Sequence, residues 1–192
     1  MKEVITGNVK VFCRFRPLNQ RELDTADDLL CVDFKDPKTC SVKGINKNTG
    51  CEEPIDYNFD YVFDLESMQE NVYKTAVMPI IKSVLEGFNG SIMAYGQTSS
   101  GKTHTMLGPS IDDEVNKGII PRMVGGIFEQ IETAAEDIEF SVKVSFIEIY
   151  NEKIRDLLNP EKVNLKIHEN KDKGVYVREM TETYVGQEDE VF

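Results

Sequence analysis

The chain has 192 residues, enough for one globular unit with a sizeable core. Its 40% hydrophobic and 29% charged residues are ordinary for a soluble protein, and no apolar run reaches the length that spans a bilayer. A net charge of −12 excludes a surface that is basic throughout, as nucleic acid or an anionic membrane would demand, but not a local basic patch.

The first fifteen residues, MKEVITGNVKVFCRF, contain no uninterrupted apolar core and so do not read as a secretory leader. Cys13, Cys31, Cys40 and Cys51 form no C-x-x-C pair and have no neighbouring histidine, which points to reduced cytosolic thiols. Residues 8–16 alternate as a half-buried strand with Val9, Val11, Cys13 and Phe15 on one face, and Pro17 ends it. Residues 21–53 are acidic and turn-rich, with K-D-P-K and N-K-N-T-G suggesting short strands joined by tight turns. Residues 57–63, YNFDYVF, add aromatic alternation.

Ser67 and Glu70 match a capping box opening a helix whose inner face is Val72, Ala76, Val77, Ile80, Ile81, Val84 and Leu85. Pro79 is expected to bend that helix or break its ladder, and Gly87 to stop it. Residues 91–95, SIMAY, read as a short buried strand running into a glycine-rich loop, and residues 102–106 as the start of a helix. Residues 108–118 interrupt as a loop, and helical spacing resumes over 120–131. Residues 140–150 form the longest strand candidate, and residues 151–158 a short helix capped by Asn151. Residues 163–168 and 174–178 suggest a hairpin around a charged turn, and residues 186–192 a helix that has only begun.

The loop Gly96-Gln97-Thr98-Ser99-Ser100-Gly101-Lys102-Thr103 satisfies G-x-x-x-x-G-K-[ST] between a strand and a helix. Glycines let such a loop curl until its N–H groups converge on phosphate oxygens. Lys102 then reaches the terminal phosphates, and the Thr103 hydroxyl suits Mg²⁺. The pattern by itself fits a small-molecule kinase, a GTPase or a mechanical ATPase.

The wider motifs narrow this. R14-F-R-P17, the run from Leu85 to Met106, G118-I-I-P-R122 and F146-I-E-I-Y-N-E-K-I-R-D-L-L158 together resemble the kinesin motor domain in order and spacing. The S-S-G-K-T-H-T-M variant most resembles the conventional heavy-chain branch. The resemblance covers nearly the whole chain. It implies an α/β phosphate-loop NTPase fold, a central mostly parallel sheet flanked by helices, represented by its N-terminal half over residues 1–192. It implies ATP or ADP with Mg²⁺ as ligands and microtubules as the partner, with no nucleic acid and no membrane insertion. The implied location is cytoplasmic and cytoskeletal.

Residue by residue, Gly96 to Thr103 match the family's phosphate loop and Thr103 its Mg²⁺ ligand. His104 matches the position lying against adenine, and Arg14, Arg16 and Pro17 the segment on the other side of the base. Without the resemblance, His104 reads equally as a helix-surface histidine, and the two arginines as a solvated strand face. Between Lys162 and Arg178 the basic residues Lys162, Lys166, Lys171, Lys173 and Arg178 outnumber Glu169 and Asp172. The resemblance places Lys153, Lys171, Lys173 and Arg178 on the filament-facing side, although a solvated turn explains the same residues.

Hydrolysis also needs groups that hold Mg²⁺ from a second side and position water. The family supplies these through N-x-x-S-S-R-S-H and D-L-A-G-S-E segments, neither of which occurs here. The run L29-L-C-V-D33 imitates an acidic Mg²⁺ partner but precedes the loop, so Asp33 reads as a decoy. The expectation is a microtubule-stimulated ATPase for the intact domain and no turnover by these residues alone. The competing reading is a nucleotide- or filament-binding module without catalysis.

Overall fold

The computed structural model describes residues 9–25, 31–45, 50, 52–135, 137–171 and 174–192. They group into two compact units, Met1–Met123 and Val124–Phe192.

The first unit begins with β1 (Phe12–Arg14), α1 (Gln20–Thr25), β2 (Val32–Asp36), β3 (Thr39–Ile45), β4 (Glu52–Asn58) and β5 (Tyr61–Phe63). β1 and β5 pair in parallel, with Cys13 opposite Val62. This ladder is only three residues long, so β1 is shorter than the sequence suggests, and Val9 and Val11 remain exposed. β2, β3 and β4 form an antiparallel meander, as the turn-rich composition predicts. At the first turn the Lys38 N–H donates to Asp36 Oδ1 (2.7 Å) while Pro37 fixes its own φ, so the turn is locally encoded. Asp33 lies exposed on β2, as expected of a decoy. Cys51 and residues 46–49 of the second turn lie outside the described residues.

α2 (Gln69–Val72) starts from Met68 without a side-chain cap, which corrects the capping-box reading. The Ser67 hydroxyl donates instead to Asp64 (2.8 Å), and Glu70 pairs with Lys74 one turn later (2.6 Å). The ladder then shifts to π register over Tyr73–Val77 before α3 (Met78–Leu85). Pro79 sits in the first turn of α3, where its missing N–H disturbs least, and the register change just upstream is the break its presence predicts. Gly87, at φ +96°, ends α3 in a Schellman turn. Its N–H bonds to Val84 O (2.9 Å) and that of Phe88 to Ser83 O (3.0 Å). Val62, Phe63, Val72, Val77, Ile81 and Ile119 are buried and form this unit's core with Cys40.

Residues 91–95 form no strand, a correction to the sequence reading. Met93 is 88% and Tyr95 97% exposed. A strand exists only by pairing, and no described strand bonds to this segment. α4 (Lys102–Met106) follows the glycine loop, and residues 108–118 form turns before α5 (Ile119–Glu132), which runs on into the second unit.

The second unit continues with β6 (Val142–Val144), β7 (Ile147–Tyr150), β8 (Lys153–Asp156), β9 (Val163–Leu165), β10 (Ile167–Asn170), β11 (Gly174–Val177) and β12 (Thr183–Val185). The single long strand expected over 140–150 is two, divided at Ser145 and Phe146, because β6 pairs with β12 while β7 pairs with β8. The helix expected over 151–158 is also corrected. Asn151 and Glu152, at φ +48° and +61°, make a two-residue turn, and residues 153–156 return as β8. Ile154 and Asp156 are buried, whereas Lys153 and Arg155 are exposed, which is the strand period. β9 joins β8, so the predicted hairpin contains only β10 and β11. A 3₁₀ turn over Glu188–Glu190 is all the helix near residue 192.

Candidate phosphate-loop site

The loop is held by its own residues and by two arginines. Gly96 stands at φ +157°, and a Cβ there would lie 2.5 Å from Ser100 Oγ. Only glycine allows this closure. Ser99 and Gly101 are also left-handed, at φ +66° and +95°. The Lys102 ammonium crosses back over the loop and donates to Gly96 O and Gln97 O, each at 2.7 Å. Neutral carbonyls leave its charge uncompensated, and among the described residues no carboxylate pairs with it. Thr98, Ser99, Gly101, Lys102, Thr103 and His104 line an open depression of about 320 Å³. Six of the sequence-predicted positions therefore face one space.

Arg16 clamps the loop from outside. Its Nε donates to Ser99 O (2.8 Å), while its two terminal nitrogens grip Glu22 on α1 at 2.7 and 2.6 Å. That bidentate contact holds the Glu22 carboxyl down to about 2. Pro17 contributes its carbonyl to the same guanidinium (3.0 Å). Arg14 is engaged elsewhere: it donates to Gln69 Oε1 (2.7 Å), Thr105 Oγ1 (3.0 Å) and Ser67 O (3.4 Å). Partial desolvation, and then the Arg14 charge, lower the His104 pKa from its ordinary value, favouring a neutral ring.

Gln69 is the group sequence reading missed. It is 4% exposed, yet all of its amide is used. Nε2 donates to His104 O (2.6 Å) and Asn116 O (3.0 Å), and Oε1 accepts from Arg14. A polar residue beside a capping pattern reads as solvated helix surface, so nothing local marks it. The same holds for Asp156, buried in the second unit. Burial raises its carboxyl, but hydrogen bonds from Thr181, Asn159 and Leu158 outweigh that and hold it below the usual range.

The expected filament-facing cations lie in the second unit. Lys153 is exposed at the start of β8, Lys171 in the turn after β10, and Arg178 just after β11, 3.3 Å from Glu179. Lys173 lies outside the described residues. The Lys162 ammonium is engaged, donating to Glu179 O and Thr181 Oγ1, each at 3.0 Å.

Comparison with known proteins agrees with the motifs. The family described as Kinesin motor domain matches residues 14–192. A kinesin heavy chain of Caenorhabditis elegans is 51% identical over 95% of this chain and 21% of its own length. The kinesin-1 heavy chain of Homo sapiens is 46% identical over 100% of this chain and 19% of its own. A solved structure of a fast kinesin superposes with a TM-score of 0.88 at 42% identity, covering 95% of this chain and 50% of that one. The chain thus spans about a fifth of these heavy chains and half of the solved kinesin. With a phosphate loop closed around Gly96 and a family match over nearly its whole length, the chain belongs to the kinesin motor domain family.

Proposed function

We propose that these residues supply the nucleotide cradle of an ATP-driven microtubule motor. The observation that carries the reading is the depression at residues 98–104, with an ammonium over the loop that only carbonyls hold. The donor set fits a nucleotide with Mg²⁺. Lys102 would leave the Gly96 and Gln97 carbonyls for the terminal phosphates, and the Thr103 hydroxyl, exposed on the first turn of α4, would take the metal. His104 would take one side of the base and Arg14, Arg16 and Pro17 the other, with Arg16 also bracing the loop at Ser99 O. Mg²⁺ supplies charge neutralisation for phosphoryl transfer when bound. The groups that position water are not among these residues, so turnover belongs to the intact domain and not to residues 1–192 alone. Lys153, Lys171, Lys173 and Arg178 are the proposed contacts to the acidic filament, individually weak and salt-sensitive. The setting is the cytoplasm and its microtubules.

In the full-length protein, Lys102→Ala should weaken fluorescent ADP binding at least ~30-fold, roughly 2 kcal/mol. Unchanged ADP affinity overturns the phosphate-loop assignment. Microtubule-stimulated phosphate release by residues 1–192 alone would overturn the placement of turnover in the intact domain. A passive binding module is the second reading, favoured by Lys171 and Arg178, exposed just after β10 and just after β11. Absence of phosphate release from the full-length protein would select it.

A further inference from the structure

We infer that Gln69 is a positioning residue for the nucleotide site, acting through Arg14 and the backbone of His104; this rests on the nucleotide reading above. One side-chain amide joins three pieces of chain that are distant in sequence. Oε1 takes the Arg14 guanidinium, and Nε2 takes the carbonyls of His104 on α4 and Asn116 in the following loop. Arg14 closes the circuit by donating to Thr105, the next residue along α4. α4 is only five residues long, too short to hold its own place by propensity. It is therefore located by what grips it, and the grip at His104 and Thr105 is the Gln69–Arg14 pair.

The Gln69 amide is buried and both its oxygen and its nitrogen are partnered, so its geometry is narrowly specified. It touches the base-side residue His104 by the backbone and leaves the imidazole free to face a ligand. The hydrogen bonds of Gln69 and Arg14 reach His104 and Thr105 in the later part of α4, whereas the loop before α4 is clamped by Arg16 at Ser99 O. Two supports result: Arg16 and Glu22 for the phosphate loop, Gln69 and Arg14 for the His104 side of α4. Loosening Gln69 should weaken recognition of the nucleoside more than recognition of phosphates.

Gln69→Glu keeps the acceptor for Arg14 but turns a carboxylate oxygen toward two carbonyl oxygens. The test uses the full-length protein and compares affinity for ATP with affinity for inorganic tripolyphosphate. The variant should lose about ten-fold for ATP and under about three-fold for tripolyphosphate. Thr105→Val, which removes one Arg14 acceptor while keeping the side-chain shape, should move the ratio the same way by about three-fold. It serves alone if Gln69→Glu does not fold. Ile154→Val, a buried change in the second unit, controls for general loss of stability and should leave the ratio unchanged. Equal losses for both ligands, or a ratio that Ile154→Val shifts as much, overturn the inference. A wild-type protein that binds neither ligand overturns the nucleotide reading and this inference with it; binding by the wild type with no ratio change overturns this inference alone.

Discussion

Gln69 in the first unit and Asp156 in the second are buried polar groups that tie loops to secondary structure, yet their chemistries are opposite. Asp156 meets only donors. Its Oδ1 accepts from Leu158 (2.9 Å) and Asn159 (3.1 Å), and its Oδ2 from the Thr181 N–H (2.6 Å). A carboxylate has acceptors alone, so it suits a hole lined by N–H groups. Gln69 meets two carbonyls and one guanidinium, and only an amide offers both donors and an acceptor there. The carboxylate accepts from three backbone N–H groups and ties its loop down through acceptors alone. The amide bonds His104 only through the backbone carbonyl and, among the described residues, makes no hydrogen bond to the imidazole. The two nodes differ in what they leave over.

Removing the carboxylate is the largest test of that contrast. Asp156→Ala leaves three backbone N–H groups without their buried acceptor and should cost about 3 kcal/mol in denaturant unfolding. A loss below about 1 kcal/mol would show that water replaces the carboxylate and that the node is not structural. Gly118→Ala probes the loop that Gln69 holds. A Cβ there would lie 2.5 Å from Met106 backbone atoms, so the end of α4 or the loop must shift, at about 2 kcal/mol. Wild-type stability in this variant would mean that the close approach is not needed.

The smallest effect concerns pH at the open node. The folded-state pKa of His104 is lowered, so the unfolded chain binds its proton more readily. Its stabilising contribution is present above pH ~6.5 and lost as pH falls through the lower folded value. Because the ring is exposed, solvent screening should keep this under ~0.5 kcal/mol. The drop in unfolding midpoint from pH 7.5 to 5.5 should be smaller in His104→Gln than in wild type; identical drops would remove His104 from the balance.

The phosphate loop, the Gly87 stop, the Asp36–Pro37 turn and the disturbance caused by Pro79 were legible because each is settled within a few residues. A left-handed φ, a missing N–H or a side chain capping its own turn needs no distant partner. The strand at residues 91–95 and the helix at residues 151–158 were misread for the opposite reason. SIMAY has strand composition, but a ladder requires a neighbour that composition does not specify. Asn151 is equally good as a helix cap and as the first residue of a two-residue hairpin turn. The alternating burial of Ile154 and Asp156 decided between them.

The amino-acid sequence by itself determined the family and the phosphate-loop closure, because those depend on motif chemistry and local backbone freedom. Only the tertiary structure decided that Arg16 grips Glu22 and Ser99, that Arg14 is turned onto Gln69 and Thr105, and that Asp156 is buried. Those choices rest on hydrogen bonds between groups up to 91 residues apart, where desolvation demands a partner and the folded chain alone determines which one is near.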